Sequence, residues 1–294
     1  MSKVFDLWNE VGGAFGPSGR EDAVRETIAG IAGAYIDDIT TDALGNLICR
    51  KKGAGKKVLF AAHMDSIGVV ATYIDENGFI RFSQIGGLYY ADLVNITVKF
   101  ANGTRGVISY EEKTPMKDMT LAHMFIDIGA KNAEEARKLV QIGDFAVFEA
   151  PRFEQNGVLC GPYLDNRIGC VTLLLAMEQL AETETENDLY FVFTSQEEVG
   201  LRGAGAAAFA VEPDVAIAVD VTDTGDLPEM KTPMAVSLGK GPTVKVMDHS
   251  VICSPAVCAD LEKAAAQLGI QTQREILLCG GTDTSVLQKA RAGV

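Results

Sequence analysis

Three short runs in this chain of 294 residues constrain its fold more than anything else: residues 57–62 (KVLFAA), 189–194 (LYFVFT) and 215–219 (VAIAV). Each is too short for a helix of ordinary length and carries apolar side chains at both odd and even positions, so a strand there buries both faces. Strands buried on both faces belong to parallel sheets covered by helices on either side. Helical periodicity supplies that cover at residues 166–180, 203–210 and 255–268, the last with Pro255 in its first turn. An opening helix follows the turn Gly16-Pro17-Ser18-Gly19, with Val24, Ile28, Ile31 and Tyr35 on one face and a strand after it. Alternation of this kind predicts an α/β fold.

The middle of the chain reads differently. From about Ile67 to Glu149, short β-rich runs at 78–84, 94–100 and 106–110 are separated by Gly and Asn turns, with one helical stretch at 132–140. We read a small β-rich domain, residues 67–149, inserted into a discontinuous domain formed by residues 1–66 and 150–294. Hydrophobic residues at 47% and charged residues at 22% fit a folded protein and exclude disorder, collagen and coiled coil as the main architecture. A formal net charge of −14 opposes binding to phosphate backbones or anionic lipid, so no nucleic-acid partner is expected. The start, MSKVFDLWNEVGG, lacks the blocks of a signal peptide, and the longest apolar run, 168–177, is too short to span a bilayer. The expectation is a cytoplasmic protein with no membrane partner. Six cysteines without a C-x-x-C pair indicate neither a disulfide framework nor a zinc ribbon.

The candidate chemistry lies at strand ends, where parallel sheets present ligand-binding groups. His63 closes the first buried strand, and Asp65, two residues on, can accept its second ring N–H and fix the tautomer. His63 is then either a ligand or a hydrogen-bonded structural residue. Asp165 precedes the 166–180 helix as a ligand or an N-cap. Glu197 and Glu198 follow the second strand; two adjacent acids repel one another and a cation relieves that, although a solvated loop pair satisfies the same pattern. Asp220 follows the third strand, with a turn role as the alternative. Imidazole and carboxylate together suit zinc, cobalt or manganese. Gly280-Gly281-Thr282-Asp283 leads into a helix, with Asp283 placed as an N-cap and the glycines allowing close backbone approach to a ligand. Ser195 and Ser285 lie in no G-x-S-x-G elbow, which argues against a serine hydrolase.

Taken in order, these residues resemble the dinuclear metallo-aminopeptidases of the tetrahedral, or glutamyl, aminopeptidase family, some of which carry an endoglucanase label. The resemblance runs through Gly16-Pro17-Ser18-Gly19, Asp42-Ala43-Leu44-Gly45-Asn46, His63-Met64-Asp65, Ile85-Gly86-Gly87, Ile126-Asp127-Ile128-Gly129, Leu164-Asp165-Asn166-Arg167, Gln196-Glu197-Glu198-Val199-Gly200, Asp220-Val221-Thr222 and Gly280-Gly281-Thr282-Asp283. It implies a zinc-peptidase-like three-layer α/β/α domain interrupted by a small barrel or PDZ-like domain that mediates dimers and, through them, a twelve-subunit particle. It implies two divalent metal ions per subunit, zinc or cobalt first and manganese next. His63, Asp165 and Asp220 would hold one metal, and Asp165 and Glu198 the second. Glu197 would be the general base, Asp65 the group that orients His63, Gly280 to Asp283 a substrate-binding segment, and short peptides the substrates.

In that family the second metal takes a further histidine from beyond the Gly-Gly-Thr-Asp helix, and this chain stops at Val294 without it. Neither His123 nor His249 replaces it by motif. The expectation is therefore a C-terminally shortened member, either part of a longer protein or a short form defective in catalysis that serves as an assembly subunit. A metal-free glycosidase and an N-acyl amino acid amidohydrolase are the remaining alternatives.

Overall fold

The computed structural model describes residues 2–229 and 233–294, apart from the side chain of Met116. Helix α1 (Lys3–Gly13) begins where the Ser2 hydroxyl accepts the Phe5 N–H, and it buries Phe5, Trp8 and Val11 at three-residue spacing. The sequence reading missed this helix, although that spacing is its signal. Helix α2 (Asp22–Ala32) is the predicted opening helix, now second. Strands β1 (Asp38–Thr41) and β2 (Leu47–Lys51) form a hairpin whose turn is fixed by the Asp42 carboxylate, which accepts the N–H groups of Leu44 and Asn46. Strand β3 (Lys57–His63) follows.

The chain then leaves for the predicted β-rich region. Strands β4 (Gly68–Ile74), β5 (Ile80–Ile85), β6 (Thr97–Phe100), β7 (Arg105–Tyr110), β8 (Met124–Asp127) and β9 (Phe145–Glu149) close into a barrel in the order β4-β5-β8-β7-β6-β9. Closure leaves no free sheet edge. The barrel has its own core, including Val69, Ile80, Val98, Ile108, Met124 and Ala146. Helix α3 (Ala133–Leu139) packs beside it, capped by the Asn132 side chain, which accepts the Glu135 N–H.

The return path adds the hairpin of β10 (Phe153–Gln155) and β11 (Val158–Cys160), helix α4 (Leu164–Leu180), β12 (Asp188–Thr194), α5 (Arg202–Val211) and β13 (Val215–Ala218). The main sheet has the order β1-β2-β12-β3-β13. The three predicted strands are parallel neighbours, with Phe191 opposite Phe60 and Ile217 on its other side, while β2 joins β12 antiparallel. Strand β12 is buried throughout and feeds two cores alternately. Leu189, Phe191 and Phe193 face α1, α2 and α4; Tyr190 and Val192 face Ala204, Ala207 and Ala208 of α5. That two-sided burial is the physical content of the second apolar run; the third was expected to be buried too, but β13 lies at the edge of the sheet and is only half-buried, and helices on the two faces make the three-layer α/β/α architecture.

Strands β14 (Thr243–Met247) and β15 (Gln273–Ile276) form a separate parallel pair with helix α6 (Pro255–Gln267) between them in sequence. The sequence reading placed this helix in the α/β layer, yet none of its residues is buried. It packs instead against β14 of this separate pair. The four-residue helix α7 (Thr284–Leu287) packs Leu287 into the core under α5. Among the described residues no helix is long and apolar enough to cross a membrane.

Candidate metal centre

The C-terminal ends of β3, β12 and β13 point the same way, and the chain leaving each carries one candidate group. His63 is the last residue of β3 and is buried. Its Nε2 lies 2.9 Å from Asp165 Oδ1, 3.8 Å from Asp220 Oδ1 and 3.9 Å from Glu197 Oε2. Its Nδ1 lies 3.4 Å from Asp65 Oδ1 and has no well-aligned hydrogen bond.

Asp165 does not cap α4. Tyr163 takes a left-handed conformation, Asp165 and Asn166 lie outside helical geometry, and no side chain caps the helix. The Asn166 amide instead donates to the Val219 carbonyl at 2.8 Å, which ties the start of α4 to the end of β13 and leaves Asp165 facing His63. Asp220 accepts the Val221 N–H at 2.9 Å, a local turn bond that leaves its second oxygen for other partners.

Asp65 is completely buried and collects donors from two distant segments. Oδ1 accepts the Glu197 N–H at 3.0 Å; Oδ2 accepts the Glu198 N–H at 3.2 Å and the Ser18 hydroxyl at 2.6 Å. Burial alone would raise its pKa, but His63 and these hydrogen bonds hold the carboxyl below its usual range. The other acids go the opposite way. Burial pushes Glu197 up to about 9, against the pull of His63 and helped by the charges of Asp283 and Asp220. Burial, with Asp165 close by, pushes Glu198 up to about 7, and burial raises Asp220 to about 7. For His63 burial works to lower the pKa, but Asp165 and Asp65 raise it well above the ordinary imidazole value.

Two donor sets share this histidine. His63, Glu197 and Asp220 place one ligand atom each within 4.8 Å of one another, and so do His63, Asp165 and Glu198. Carboxylates that resist ionisation beside one another are what a divalent cation relieves, and the imidazole and oxygen donors suit zinc, cobalt or manganese. The residues present therefore fit divalent metal. The grouping differs from the one that the resemblance implied, since Glu197 here stands with His63 and Asp220.

The donors open into a cleft of about 470 Å³. Gly280, Gly281 and Thr282 form part of its wall, as does Lys245, whose Nζ lies 2.7 Å from Glu275 Oε1 and 3.2 Å from Asp248 Oδ2. Asp283 turns away from the wall: it is buried, makes no cap bond, and accepts the Thr194 hydroxyl at 2.5 Å, while burial raises its pKa to about 6. Ser195 is buried and donates to the Leu44 carbonyl, which leaves it no role as a nucleophile. His123 lies outside the centre, where its ring meets the Thr120 hydroxyl, and His249 is exposed. Sequence reasoning missed Ser18 and Lys245. Ser18 was read only as part of a turn, and nothing local announces a partner 47 residues away.

A family model described as M42 glutamyl aminopeptidase matches residues 45–294. A relative from Acetivibrio thermocellus that bears the name "Putative aminopeptidase" is 49% identical over 292 residues, covering 99% of this chain and 88% of its own. Among solved structures, aminopeptidase APDkam598 from the archaeon Desulfurococcus kamchatkensis is similar at a TM-score of 0.94 and 34% identity, over 99% of this chain and 84% of that one. The TET1 peptidase of Pyrococcus horikoshii, described as able to assemble into a tetrahedron or a large octahedral shell, gives a TM-score of 0.87 at 33% identity, over 98% and 88%.

Proposed function

The chain belongs to the M42 glutamyl aminopeptidase family, and from that premise we propose that it removes the N-terminal residue of short peptides at a two-metal centre, with Glu197 as general base. His63, Asp165, Glu198 and Asp220 are the ligands in this reading, and Asp65 orients His63. The observation that carries it is the convergence of His63 Nε2 with Asp165, Glu197 and Asp220 at one cleft floor. Divalent metal bound there would polarise the scissile carbonyl and lower the pKa of the attacking water.

The protein's own groups do the rest. Glu197 takes a proton from the water as its oxygen adds to the carbonyl carbon, then gives that proton to the amine nitrogen as the C–N bond breaks. A carboxyl that burial and neighbouring acids push up to about 9 holds a proton readily, which suits delivery to the amine; cationic charge nearby favours the ionised form that accepts one. The Asp65 carboxylate, 3.4 Å from Nδ1 of His63, favours the proton on that nitrogen and so leaves Nε2 to face the cleft. Gly280, Gly281 and Thr282 offer backbone surface along the wall for a peptide.

The likeness to a self-assembling TET peptidase supports self-association of this chain, and we assign the contacts to the barrel domain, residues 67–149, with dimers building the larger particle. Enclosure of the sites would restrict substrates to short peptides. The deciding test is Glu197→Gln. We expect metal per chain to stay within a third of wild type while kcat falls by about 100- to 10,000-fold. Full hydrolysis by that variant would remove Glu197 as the base.

A further inference from the structure

The loop at residues 16–21 lies against the metal centre, and none of its residues belongs to the ligand set. It is unusually well held. The Arg167 guanidinium, itself completely buried, donates to the carbonyls of Val11 at 2.7 Å and Gly16 at 3.1 Å. A Cβ on Gly16 would meet that guanidinium at 2.8 Å, so only glycine lets the loop come this close. Ser66, next to Asp65, donates its N–H to the Gly16 carbonyl and accepts the Ser18 N–H, each at 3.1 Å. The loop is thereby fixed to the segment that follows β3.

From this anchored backbone two side chains reach the turn that carries the catalytic pair. Ser18 donates its hydroxyl to Asp65 Oδ2 at 2.6 Å. Glu21, buried like Ser18, accepts the N–H of Gly19 at 2.7 Å and of Gln196 at 3.1 Å. Asp65 in turn accepts the next two N–H groups of that turn, from Glu197 and Glu198. Three consecutive backbone N–H groups, 196 to 198, thus end on two carboxylates, both bonded to donors from the one loop. Gln196 has a left-handed backbone at φ 54°, so the turn needs such partners to persist.

We propose that the 16–21 loop is a positioning clamp for the catalytic turn, with Ser18 the positioning residue whose hydroxyl sets the plane of the Asp65 carboxylate. Ser18 is the one side-chain hydroxyl on that carboxylate among the described residues. The two backbone donors hold one oxygen each, at 3.0 and 3.2 Å, and the hydroxyl adds the shortest of the three bonds, at 2.6 Å, which tightens the rotation that keeps Oδ1 on the side of His63 Nδ1. Without it the carboxylate is held by the two longer backbone bonds alone, and both His63 and Glu197 lose their bearing while every ligand remains present. The inference rests on the reading of Glu197 as base and His63 as ligand.

The experiment compares Ser18→Ala, Ser18→Thr and Glu197→Gln on a panel of aminoacyl-p-nitroanilides in saturating cobalt. It follows the substrate that wild type cleaves fastest and expresses kcat per folded, metal-loaded chain. We expect Ser18→Ala to lower kcat by roughly 10- to 100-fold with KM within twofold, as loss of a residue supporting a ligand does, and Ser18→Thr, which keeps the hydroxyl, to recover most of it. A loss under fivefold in the alanine variant, or a threonine variant as poor as the alanine one, overturns the clamp; so, whether or not wild type turns over, does a visible cobalt absorption spectrum of Ser18→Ala at equal cobalt per chain that is the same as that of wild type. If the alanine variant does not fold, Ser18→Cys, which fills the volume but donates weakly, is held to the same fivefold threshold. Retained activity in Glu197→Gln instead overturns the assignment of the base, so the two failures are told apart.

Discussion

His63 and the acids around it form a balance of opposing charges, and protonation is the first place to test it. Glu198 and Asp220 are raised to about 7 and Glu197 to about 9, all by burial first. Folding the metal-free protein therefore takes up protons at these groups. Their contribution to stability is complete below the ordinary carboxyl range, near pH 4, and is lost as pH rises through about 7 and then about 9. His63, raised well above its ordinary value by Asp165 and Asp65, adds stability below about 6.5 that is likewise lost at higher pH. A chelated sample is thus expected to show a falling Tm from pH 5 to pH 9, and divalent metal, which selects the ionised folded form, should flatten or reverse the slope. A chelated protein with a level Tm over that range would uncouple these groups from folding.

Among the elements, α5 shows how close packing sets the turn that carries Glu197 and Glu198. The Asn46 side chain, in the β1–β2 turn, accepts the Ser195 N–H at 3.0 Å and donates to the Gly203 carbonyl at 2.9 Å. A Cβ on Gly203 would stand 2.2 Å from Asn46 Oδ1 and 2.4 Å from the Ser195 carbonyl. Gly203→Ala should displace the start of the turn and cost about 1–3 kcal/mol, with kcat falling alongside Tm. Gly205 on the same helix meets only Val286 at 3.9 Å. Gly205→Ala should therefore leave activity alone and stabilise by about 0.5–1 kcal/mol, the usual gain from removing a mid-helix glycine. Equal melting temperatures for the two variants would show that α5 slides freely on the sheet.

For the whole molecule, the barrel is the feature that the peptidase layer does not need for its own core. Its buried residues form a cluster apart from the two that sandwich the main sheet. A module with a separate core can serve association without disturbing the cleft, which is the role assigned to it here. Native mass spectrometry or light scattering at physiological salt is expected to give masses of dimers and larger assemblies. A single-chain mass at micromolar concentration would remove the assembly assignment and leave the metal centre standing. With a net charge of −14 per chain, such assemblies should loosen as ionic strength falls and screening weakens.

How much of this was legible in the sequence follows from how far each signal reaches. The three apolar runs marked the parallel strands of the main sheet, of which only β12 is buried throughout; helical spacing marked α2, a long apolar stretch marked α4, and acids placed just past strand ends marked where chemistry would gather. These are local periodicities, and a single sequence carries them without loss. Local pattern left Asp165 as ligand or cap and only the resemblance set it with His63; tertiary structure decided that it meets His63 across 102 residues instead of capping α4, and that Asp283 turns into the core toward Thr194. It alone decided that α6 leaves the main sheet and that Ser18 completes Asp65. The reason is physical: a strand's period says which faces are apolar, whereas a hydrogen bond needs two atoms within about 3 Å, and that is fixed by strand register, helix approach and crossover, which no local pattern records.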